Sequence, residues 1–584
     1  MVYPPVKRFL LLVLGLCVLC CGNLFSQNRP LERAEREREA ILDDDPLRES
    51  RGSVRDQREH DSVGDTTPLG VDFVSIELIS HHDKATMSAS PGIEALMIDP
   101  ELPAPENLTA ILKPYLGREV SMAALGDLGR DIVVAWRESD YPLVDVYFPE
   151  QNITKGRIQV VVREALLGNR SVKGSVITKE DYVLQQFRLQ PGDRVNNRIL
   201  SADLDWLNEN PIREISVVYE KGEEDGTTDI VLEVEERNQI TAYAGFANTG
   251  LDSIGRNQFS FGVNLGNPFG REHAFGYDLG ADETFEFLEA HSLFYQVFLP
   301  WRHTLRLSGS YVLSEARDGG EVGVKGVSKQ LTAAYRIPLD RPEFNRSWRH
   351  HVTFAFDYKS TDTGLIFGGA DLLGSQIQVG QFRGSYEFAF PDRYGYTRVT
   401  AGIIGSPGDL FDYNNDASFQ AARSGATADY WYGFGKIDRT TKLPHDFTFR
   451  MRASGKVSSD RLPATEQILG GGYVTVRGFD ESIIRGDSGF LGSAELVSPP
   501  FELFGSLEDT WNLFAFLDTA AFDISQPRPG ESSPALTGGG LGVTGRLRNY
   551  GTIRASYGWA LSSYGVSPLP VNDGKFHFGL TVIY

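Results

Sequence analysis

From Arg237 onward, apolar and polar residues alternate with a period of two. The clearest stretch runs from Phe259 to Leu265, and similar ones lie at 293–299, 352–358, 386–390 and 447–451. Successive side chains of a β-strand point to opposite faces, so each stretch predicts a strand with one apolar face. A soluble sandwich alternates in the same way, but many such segments with aromatics near the turns favour a membrane barrel with a polar lumen. At roughly 20 residues per strand and connection, residues 237–584 hold on the order of 16 antiparallel strands.

The last predicted strand has an unbroken apolar face that ends on an aromatic residue. That face consists of Phe576, Phe578, Leu580, Val582 and Tyr584. Gly579, with apolar residues third and fifth after it, resembles the C-terminal signal through which outer-membrane barrels are recognised by their assembly machinery. The resemblance implies that Gly579, Val582 and Tyr584 belong to such a signal.

Residues 70–236 have a mixed helix and strand pattern that occurs twice. In the first unit, 70–164, a strand over Val71–Ile79 leads to two helices, and the second helix starts near Ser121 with apolar residues at helical spacing. Strands over Leu143–Phe148 and Arg157–Val162 follow. The order β-α-α-β-β predicts a small α+β domain whose Trp136 belongs to its core.

The second unit, 165–236, repeats this order. It consists of a strand over Ser171–Val176, helices over Lys179–Phe187 and Asn197–Leu207, and strands over Ile215–Glu220 and Asp229–Glu235. Two generic α+β units would also give this pattern. Two such units in tandem resemble polypeptide-transport-associated (POTRA) domains.

The N-terminus indicates export. Lys7 and Arg8 precede a short apolar stretch, which is typical of a secretory signal peptide over residues 1–26. Cys17, Cys20 and Cys21 all lie in that segment, so the mature chain would contain no disulfide and no thiolate site. Residues 27–69 are highly charged and predict a solvated helix with a linker.

Composition excludes several functions. The 57 basic and 78 acidic residues give a net charge of −21, which argues against a nucleic-acid partner. The adjacent histidines at 81–82 and 350–351 have no spaced partner, as a metal site requires. Nucleotide-binding loops, nucleophile elbows and H-E-x-x-H motifs are absent from the sequence, so we expect no enzyme activity, no metal and no cofactor.

A glycine-flanked motif lies between two alternating segments. Val476-Arg477-Gly478-Phe479 follows three glycines and resembles the V-R-G-[FY] loop of POTRA-bearing outer-membrane transporters, in which the loop folds into the barrel lumen. An ordinary surface arginine is the alternative on residue type alone. The resemblance implies that acids on neighbouring strands bind the arginine.

The sequence contains suitable acids near the motif. Glu495 lies on the next predicted strand, and Asp518 ends a segment that resembles the family's F-x-F-x-D strand. Phe514, Phe516 and Asp518 share one face of that strand, so the two rings can flank a guanidinium bound by the carboxylate.

The number of POTRA-like units separates the members of this superfamily. Two units after a charged segment resemble the two-partner secretion transporters of the ShlB/FhaC/HecB group of haemolysin and adhesin secretion proteins, and Tyr243–Gly250 resembles that group's first barrel strand. The resemblance implies an outer-membrane pore over 237–584 with periplasmic POTRA domains that capture an unfolded partner polypeptide for export. It also implies that the helix within 27–69 plugs the pore.

Three alternatives remain open from the residues. The chain could instead insert or assemble other outer-membrane proteins, act as a diffusion porin, or be a soluble secreted β-protein. POTRA units argue against the porin, and the terminal aromatic strand argues against the soluble protein.

Overall fold

The computed structural model describes residues 65–87, 95–141, 143–224, 226–251, 253–317, 322–342, 347–367, 370–505, 508–548, 550–566 and 573–584. The expected signal peptide and almost all of the charged segment 27–69 lie outside the described residues. The described chain forms two compact units, one ending at Arg237 and the other beginning at Asn238. None of the described helices is long and apolar enough to cross a membrane.

The first unit contains two small sheets, each covered by helices. The first sheet has the order β2-β1-β4-β3, in which β1 pairs in parallel with β2 and β4, while β3 and β4 are antiparallel. Its elements are β1 (Ser75–Ile79), β2 (Leu96–Ile98), α1 (Leu108–Leu112), α2 (Met122–Glu138), β3 (Val144–Tyr147) and β4 (Arg157–Glu164).

Helix α2 forms where the sequence predicts it. The Ser121 side chain accepts a hydrogen bond from the Ala124 amide, which caps the first turn. Leu128, Ile132 and Trp136 lie one turn apart and are fully buried in the core of this sheet. Burial of this apolar stripe fixes the helix on the sheet.

The second sheet has the order β5-β7-β6, with β5 parallel and β6 antiparallel to the central β7. Its elements are β5 (Leu166–Lys173), α3 (Glu180–Gln186), α4 (Asn197–Leu207), β6 (Arg213–Lys221) and β7 (Thr227–Glu236). Helix α4 has the predicted bounds, and Asn196 caps it by accepting from the amides of Arg198 and Ile199. β5 begins five residues before the predicted strand because Leu166–Leu167 pair with Thr227–Thr228 of β7.

The second unit is a closed antiparallel barrel of sixteen strands within its described residues, which confirms the predicted fold class. Its strands and the short elements between them are β8 (Ile240–Ala247), β9 (Gln258–Gly266), β10 (Ala274–Asp282), β11 (Leu288–Phe298), β12 (Thr304–Arg317), β13 (Val322–Leu339), β14 (Arg349–Phe367), β15 (Ala370–Asp392), β16 (Gly395–Pro407), α5 (Asp416–Ala422), β17 (Asp429–Lys442), β18 (Thr448–Ser458), β19 (Ile468–Gly470), β20 (Ile484–Gly486), β21 (Ser488–Val497), β22 (Asp509–Asp523), β23 (Ala535–Leu547), β24 (Gly551–Tyr564) and β25 (Gly574–Ile583). β19 and β20 pair only with each other and lie inside the connection from β18 to β21.

Side chains along the barrel strands alternate between the two faces of the wall. Along β22, Leu513 and Leu517 are more than half exposed on the outer face, whereas Phe514, Phe516 and Asp518 are buried on the inner face. Such alternation lets a single strand present an apolar surface to lipid and a functional surface to the lumen.

The last strand closes the barrel against the first. β25 pairs with β8 from Gly579–Ala247 to Ile583–Tyr243, and Tyr584 exchanges two backbone hydrogen bonds with Ala242. Val582 and Tyr584 are exposed on the outer face, as the predicted apolar face requires. The chain terminus is therefore an integral part of the wall.

Candidate functional site

The connection from β18 to β21, residues 459–487, folds back against the inner face of the barrel wall; we call it the lumenal loop. The β19–β20 hairpin brings the two limbs of the loop together, and Gly471 and Gly472 turn the chain with φ of 106° and 92°. These left-handed conformations favour glycine, which explains two of the three glycines before the motif. We call residues 459–470 the entering limb and residues 473–487 the returning limb, and Val476 to Phe479 form the tip within the returning limb.

Arg477 is the central side chain of the site, and it is 4% exposed. Its Nε and Nη2 donate to the two carboxylate oxygens of Asp518 at 2.7 and 2.8 Å, and its backbone amide donates to the same carboxylate at 3.2 Å. Its Nη1 donates to Oε1 of Glu495 at 2.6 Å. Ser493 adds a hydroxyl that donates to Asp518 at 2.7 Å. The planar fork of arginine meets a bidentate carboxylate here, a geometry that lysine does not reproduce.

Two aromatic rings lie beside the guanidinium. The ring centroid of Phe516 is 3.5 Å from the Arg477 Cζ, and that of Phe514 is 5.9 Å away. Arg554 of β24 lies 4.5 Å from the Phe514 centroid and donates to the same Glu495 oxygen at 2.6 Å. Glu495 therefore joins two arginines, one from the loop and one from the wall.

Glycines of the wall let the loop tip lie close to the strands. Gly478 has a φ of 100°, and a Cβ there would lie 2.6 Å from the Trp559 carbonyl carbon. A Cβ on Gly538 of β23 would lie 2.0 Å from the Arg477 carbonyl oxygen, and one on Gly558 of β24 would lie 2.6 Å from the Gly478 amide. Neither wall position has space for a larger residue while the tip occupies this position.

Apolar residues on both sides of Arg477 exclude water from the ion pairs. Val476 is fully buried and Phe479 is 4% exposed. Both pack in one cluster with residues from the loop and from β22, β23 and β24, namely Ile484, Ala520, Phe522, Leu536 and Ala560. Buried charges are costly unless paired, so this environment makes the contacts of Arg477 with both acids important for the loop position.

The structure thus brings together Arg477, Glu495, Asp518 and the two phenylalanines that the sequence suggested, and it adds Arg554 and Ser493. Arg554 could have been noticed only through strand register, because it lies more than 50 residues after Glu495. Its register partner on β25 is Gly579, the glycine of the C-terminal pattern.

Sequence reasoning also missed a second ionic contact of the lumenal loop. Glu466, on the limb that leaves β18, is 2% exposed. It accepts from Lys359 Nζ of β14 at 2.6 Å and from the Tyr432 hydroxyl of β17 at 2.8 Å, while Lys456 Nζ of β18 donates to its backbone carbonyl. The wall therefore also binds the entering limb.

A third contact closes the base of the loop. Asp487 is fully buried and accepts from both terminal nitrogens of Arg423, which follows α5, at 2.5 and 2.9 Å. It also accepts from the amides of Leu462 and Ser525. One carboxylate thus connects three of the loops at this end of the barrel.

The candidate metal ligands lie apart from this site. His350 makes hydrogen bonds to the Tyr386 hydroxyl at 2.9 Å and to the Asp340 carbonyl at 2.7 Å, and His82 stacks on Tyr147. Within the described residues, no group of three or more His, Cys, Asp or Glu side chains is arranged to hold a metal ion.

Sequence comparison relates the chain to known families. Residues 226–363 and 409–545 match the haemolysin secretion/activation proteins ShlB/FhaC/HecB, and residues 100–165 match the ShlB-type POTRA domain. The chain is 23% identical to the outer membrane transporter CdiB-2 of Burkholderia pseudomallei over 64% of its own length and 65% of the relative's. It is 19% identical to the heme/hemopexin transporter protein HuxB of Haemophilus influenzae, over 67% of its own length and 68% of that protein's.

Solved structures share the fold. CdiB from Escherichia coli superposes with a TM-score of 0.71 at 17% identity, covering 96% of this chain and 98% of the other. CdiB from Acinetobacter baumannii gives a TM-score of 0.63 at 14% identity, again over 96% and 98% of the two chains. The fold is therefore shared along almost the whole chain.

Proposed function

Because the chain belongs to the haemolysin secretion/activation protein family ShlB/FhaC/HecB, we propose that it exports a partner polypeptide through the outer membrane to the cell surface. The observation that supports this most strongly is the family match over the barrel, together with a lumenal loop tied to the wall through Arg477. The matched family is a secretion family, which favours export over the assembly of other barrels.

The barrel lies in the outer membrane and the POTRA part lies in the periplasm. Since the POTRA part precedes β8 in the chain, the barrel end where β8 begins at Ile240 opens to the periplasm. Antiparallel strands then place the lumenal loop and residues 408–428 and 524–534 at the outer end. We assign the POTRA domains to 70–164 and 165–236 and the barrel to 237–584.

Capture of the partner is assigned to the second POTRA sheet. β5 and β6 are its two outer strands, so each has one side without a neighbouring strand among the described residues. An extended polypeptide that adds to such an edge gains main-chain hydrogen bonds without needing one particular sequence.

The two edges are not equally open. On β5, the amide and carbonyl of Leu167 already bond to Asp193 and Gly192. On β6, the Asn208 side chain bonds to both backbone groups of Ile215, which leaves the strand after Ile215 clear of that contact. Val218 there is 36% exposed. We therefore place capture on the part of β6 that follows Ile215.

Arg477 has a positioning role in this proposal. It holds the lumenal loop against β21 and β22, so that the loop keeps one place in the pore while an extended chain passes. The proposal requires no chemistry of the pore itself: the matched family is one of transporters, and folding of the exported chain outside the cell would make export directional.

Deletion and complementation test the proposal. We expect loss of one large surface or secreted polypeptide when the gene is deleted, and its return with the wild-type gene, while the other outer-membrane barrels keep their abundance in quantitative proteomics. A general fall of many outer-membrane barrels would instead support assembly activity. An unchanged surface and secreted proteome would refute export.

A further inference from the structure

Strand β18 carries two arginines that the lumenal-loop contacts do not use. In the ladder with β21, Arg450 is directly opposite Glu495, and Arg452 is directly opposite Ser493. Directly opposed residues of antiparallel strands share a face. Because Glu495 and Ser493 both contact Arg477 inside the barrel, Arg450 and Arg452 also point into the lumen.

Both of these arginines lack a direct partner in the described part of the chain. Among the described residues, neither side chain makes a hydrogen bond or an ion pair, and both are exposed although they lie inside the barrel. Glu495, the acid opposite Arg450, is shared, because Arg477 and Arg554 both bind its Oε1, so one negative charge is divided among several arginines. Among the described residues, the lumen beside them is therefore bordered by positive charge that water can reach.

The acids around these residues do not balance the charge. Arg450, Arg452, Arg477 and Arg554, which we call the arginine wall, face the carboxylates of Glu495 and Asp518, so four positive charges meet two negative ones.

Acids on the neighbouring strand do not close this gap. Asp438 of β17 is opposite Arg452, but it pairs with Lys436 of its own strand at 2.9 Å. Arg546 of β23 shares the inner face with Arg554, so a further arginine lines this side of the lumen. In a chain with a net charge of −21, this concentration of arginine is a local feature.

We propose that the arginine wall is an anion-binding surface that favours an acidic exported polypeptide and makes the pore select small anions over cations. Arginine stays charged under all physiological conditions and binds carboxylates in a forked geometry. Rings or walls of such charge set the ion preference of pores. Because the two free arginines are hydrated, each contact with a passing carboxylate is weak and reversible. The polypeptide part rests on the proposed function, whereas the anion preference does not.

Ion selectivity of the full-length protein tests the pore. We expect the reversal potential in planar bilayers under a KCl gradient to show chloride preference, and to lose part of it at 1 M salt, where the Debye length falls to about 3 Å. The variant Arg450→Gln/Arg452→Gln should lower the chloride-to-potassium permeability ratio about threefold or more. The control Lys113→Gln/Arg130→Gln removes two positive charges from the POTRA part and should change nothing. Cation preference in the wild type, or equal ratios in both variants, would overturn the proposal.

Peptide binding gives a second readout that needs no open pore. Fluorescence anisotropy with the detergent-solubilised full-length protein should show tighter binding of labelled hexaglutamate than of labelled hexalysine. The arginine variant should weaken hexaglutamate binding severalfold, and the control variant should not. Equal binding of the two peptides, or an unchanged affinity in the arginine variant, would refute the acidic substrate class. If the anion preference is confirmed but no exported polypeptide is found in vivo, the proposed function is contradicted and the anion-binding surface is not.

Discussion

The two limbs of the lumenal loop are bound to the barrel wall with opposite polarity. On the returning limb, the loop supplies the cation, Arg477, and the wall supplies the carboxylates of Asp518 and Glu495. On the entering limb, the loop supplies the carboxylate of Glu466, and the wall supplies the ammonium group of Lys359 at 2.6 Å. The two contacts lie on different parts of the wall, β21–β22 and β14.

The opposite charges on the two limbs explain how the long lumenal loop is held in a single position. A shift of the loop that separates either limb from its partners leaves a charge in a poorly hydrated environment, which is costly. With opposite signs on the two limbs, an exchange of the limbs would bring like charges together. The motif Val476 to Phe479 lies only on the returning limb, although the contacts of both limbs fix the position of the lumenal loop.

Removal of the Arg477 side chain from the returning limb should have the largest effect. In Arg477→Ala, Asp518 loses its buried cationic partner while Glu495 keeps Arg554, and loss of one partner of a buried pair costs about 3–5 kcal/mol. We expect a folded, membrane-inserted barrel, seen as heat-modifiable mobility on gels, with greatly reduced export of the partner. The exposed Arg130→Ala serves as the matched control. Normal export by Arg477→Ala would refute the role given to this arginine.

Removal of the Glu466–Lys359 ion pair on the entering limb should have a smaller effect. In Glu466→Gln, the amide keeps the hydrogen bond from Tyr432, and Lys359, which is 14% exposed, retains some access to water. We expect faster limited proteolysis of the lumenal loop and partial loss of export. The double variant Glu466→Gln/Lys359→Met should recover much of the protection, since it removes the uncompensated cation. If the double variant is as sensitive as the single one, the charge pair does not hold this limb.

Steric disturbance of the returning limb should be milder still. In Gly538→Ala, the added Cβ would lie 2.0 Å from the Arg477 carbonyl oxygen, so the loop tip must shift. Overpacking of this kind costs about 1–3 kcal/mol. Increased proteolysis of the loop is the expected result. Gly384→Ala on β15 is the control, because a Cβ there meets nothing within 4 Å. Equal protease resistance of both variants would mean that the tip does not rest on Gly538.

The smallest effect concerns the contact between the lumenal loop and the connection 524–534. Hydrogen bonding from Arg461 lowers the pKa of Glu531 from its ordinary 4.5 to about 2. A lowered pKa means that the pair stabilises the loops above pH 4.5 and loses this contribution as the pH falls toward 2. We expect Glu531→Gln to lose about 1 kcal/mol of loop stability at pH 7 and progressively less below pH 4. Thermal unfolding in detergent across pH checks this, and a constant difference between wild type and variant would contradict it.

Much of the fold could be predicted because its signals are local. Period-two alternation predicted the barrel, and the spacing of Leu128, Ile132 and Trp136 predicted α2. The spacing of Leu200, Leu204 and Leu207 predicted α4 with the bounds that the structure shows. The start of the first strand was wrong: Val71 and Phe73 pair with the segment 117–120 instead of joining β1. The segment 117–120 lies far from Val71 in the chain, so the local pattern of residues could not reveal this pairing.

The sequence by itself determined the alternating faces of the strands, the glycine-rich turn before Arg477 and the types of residue able to bind it, because these depend on near neighbours and on residue chemistry. Only the tertiary structure decided that Arg554 shares Glu495 with Arg477, that Glu466 contacts Lys359, and that Arg450 and Arg452 stay unpaired. Strand register and loop packing bring together residues such as Lys359 and Glu466, barrel closure joins Ala242 to Tyr584 from opposite ends of the barrel sequence, and register is a property of the whole wall.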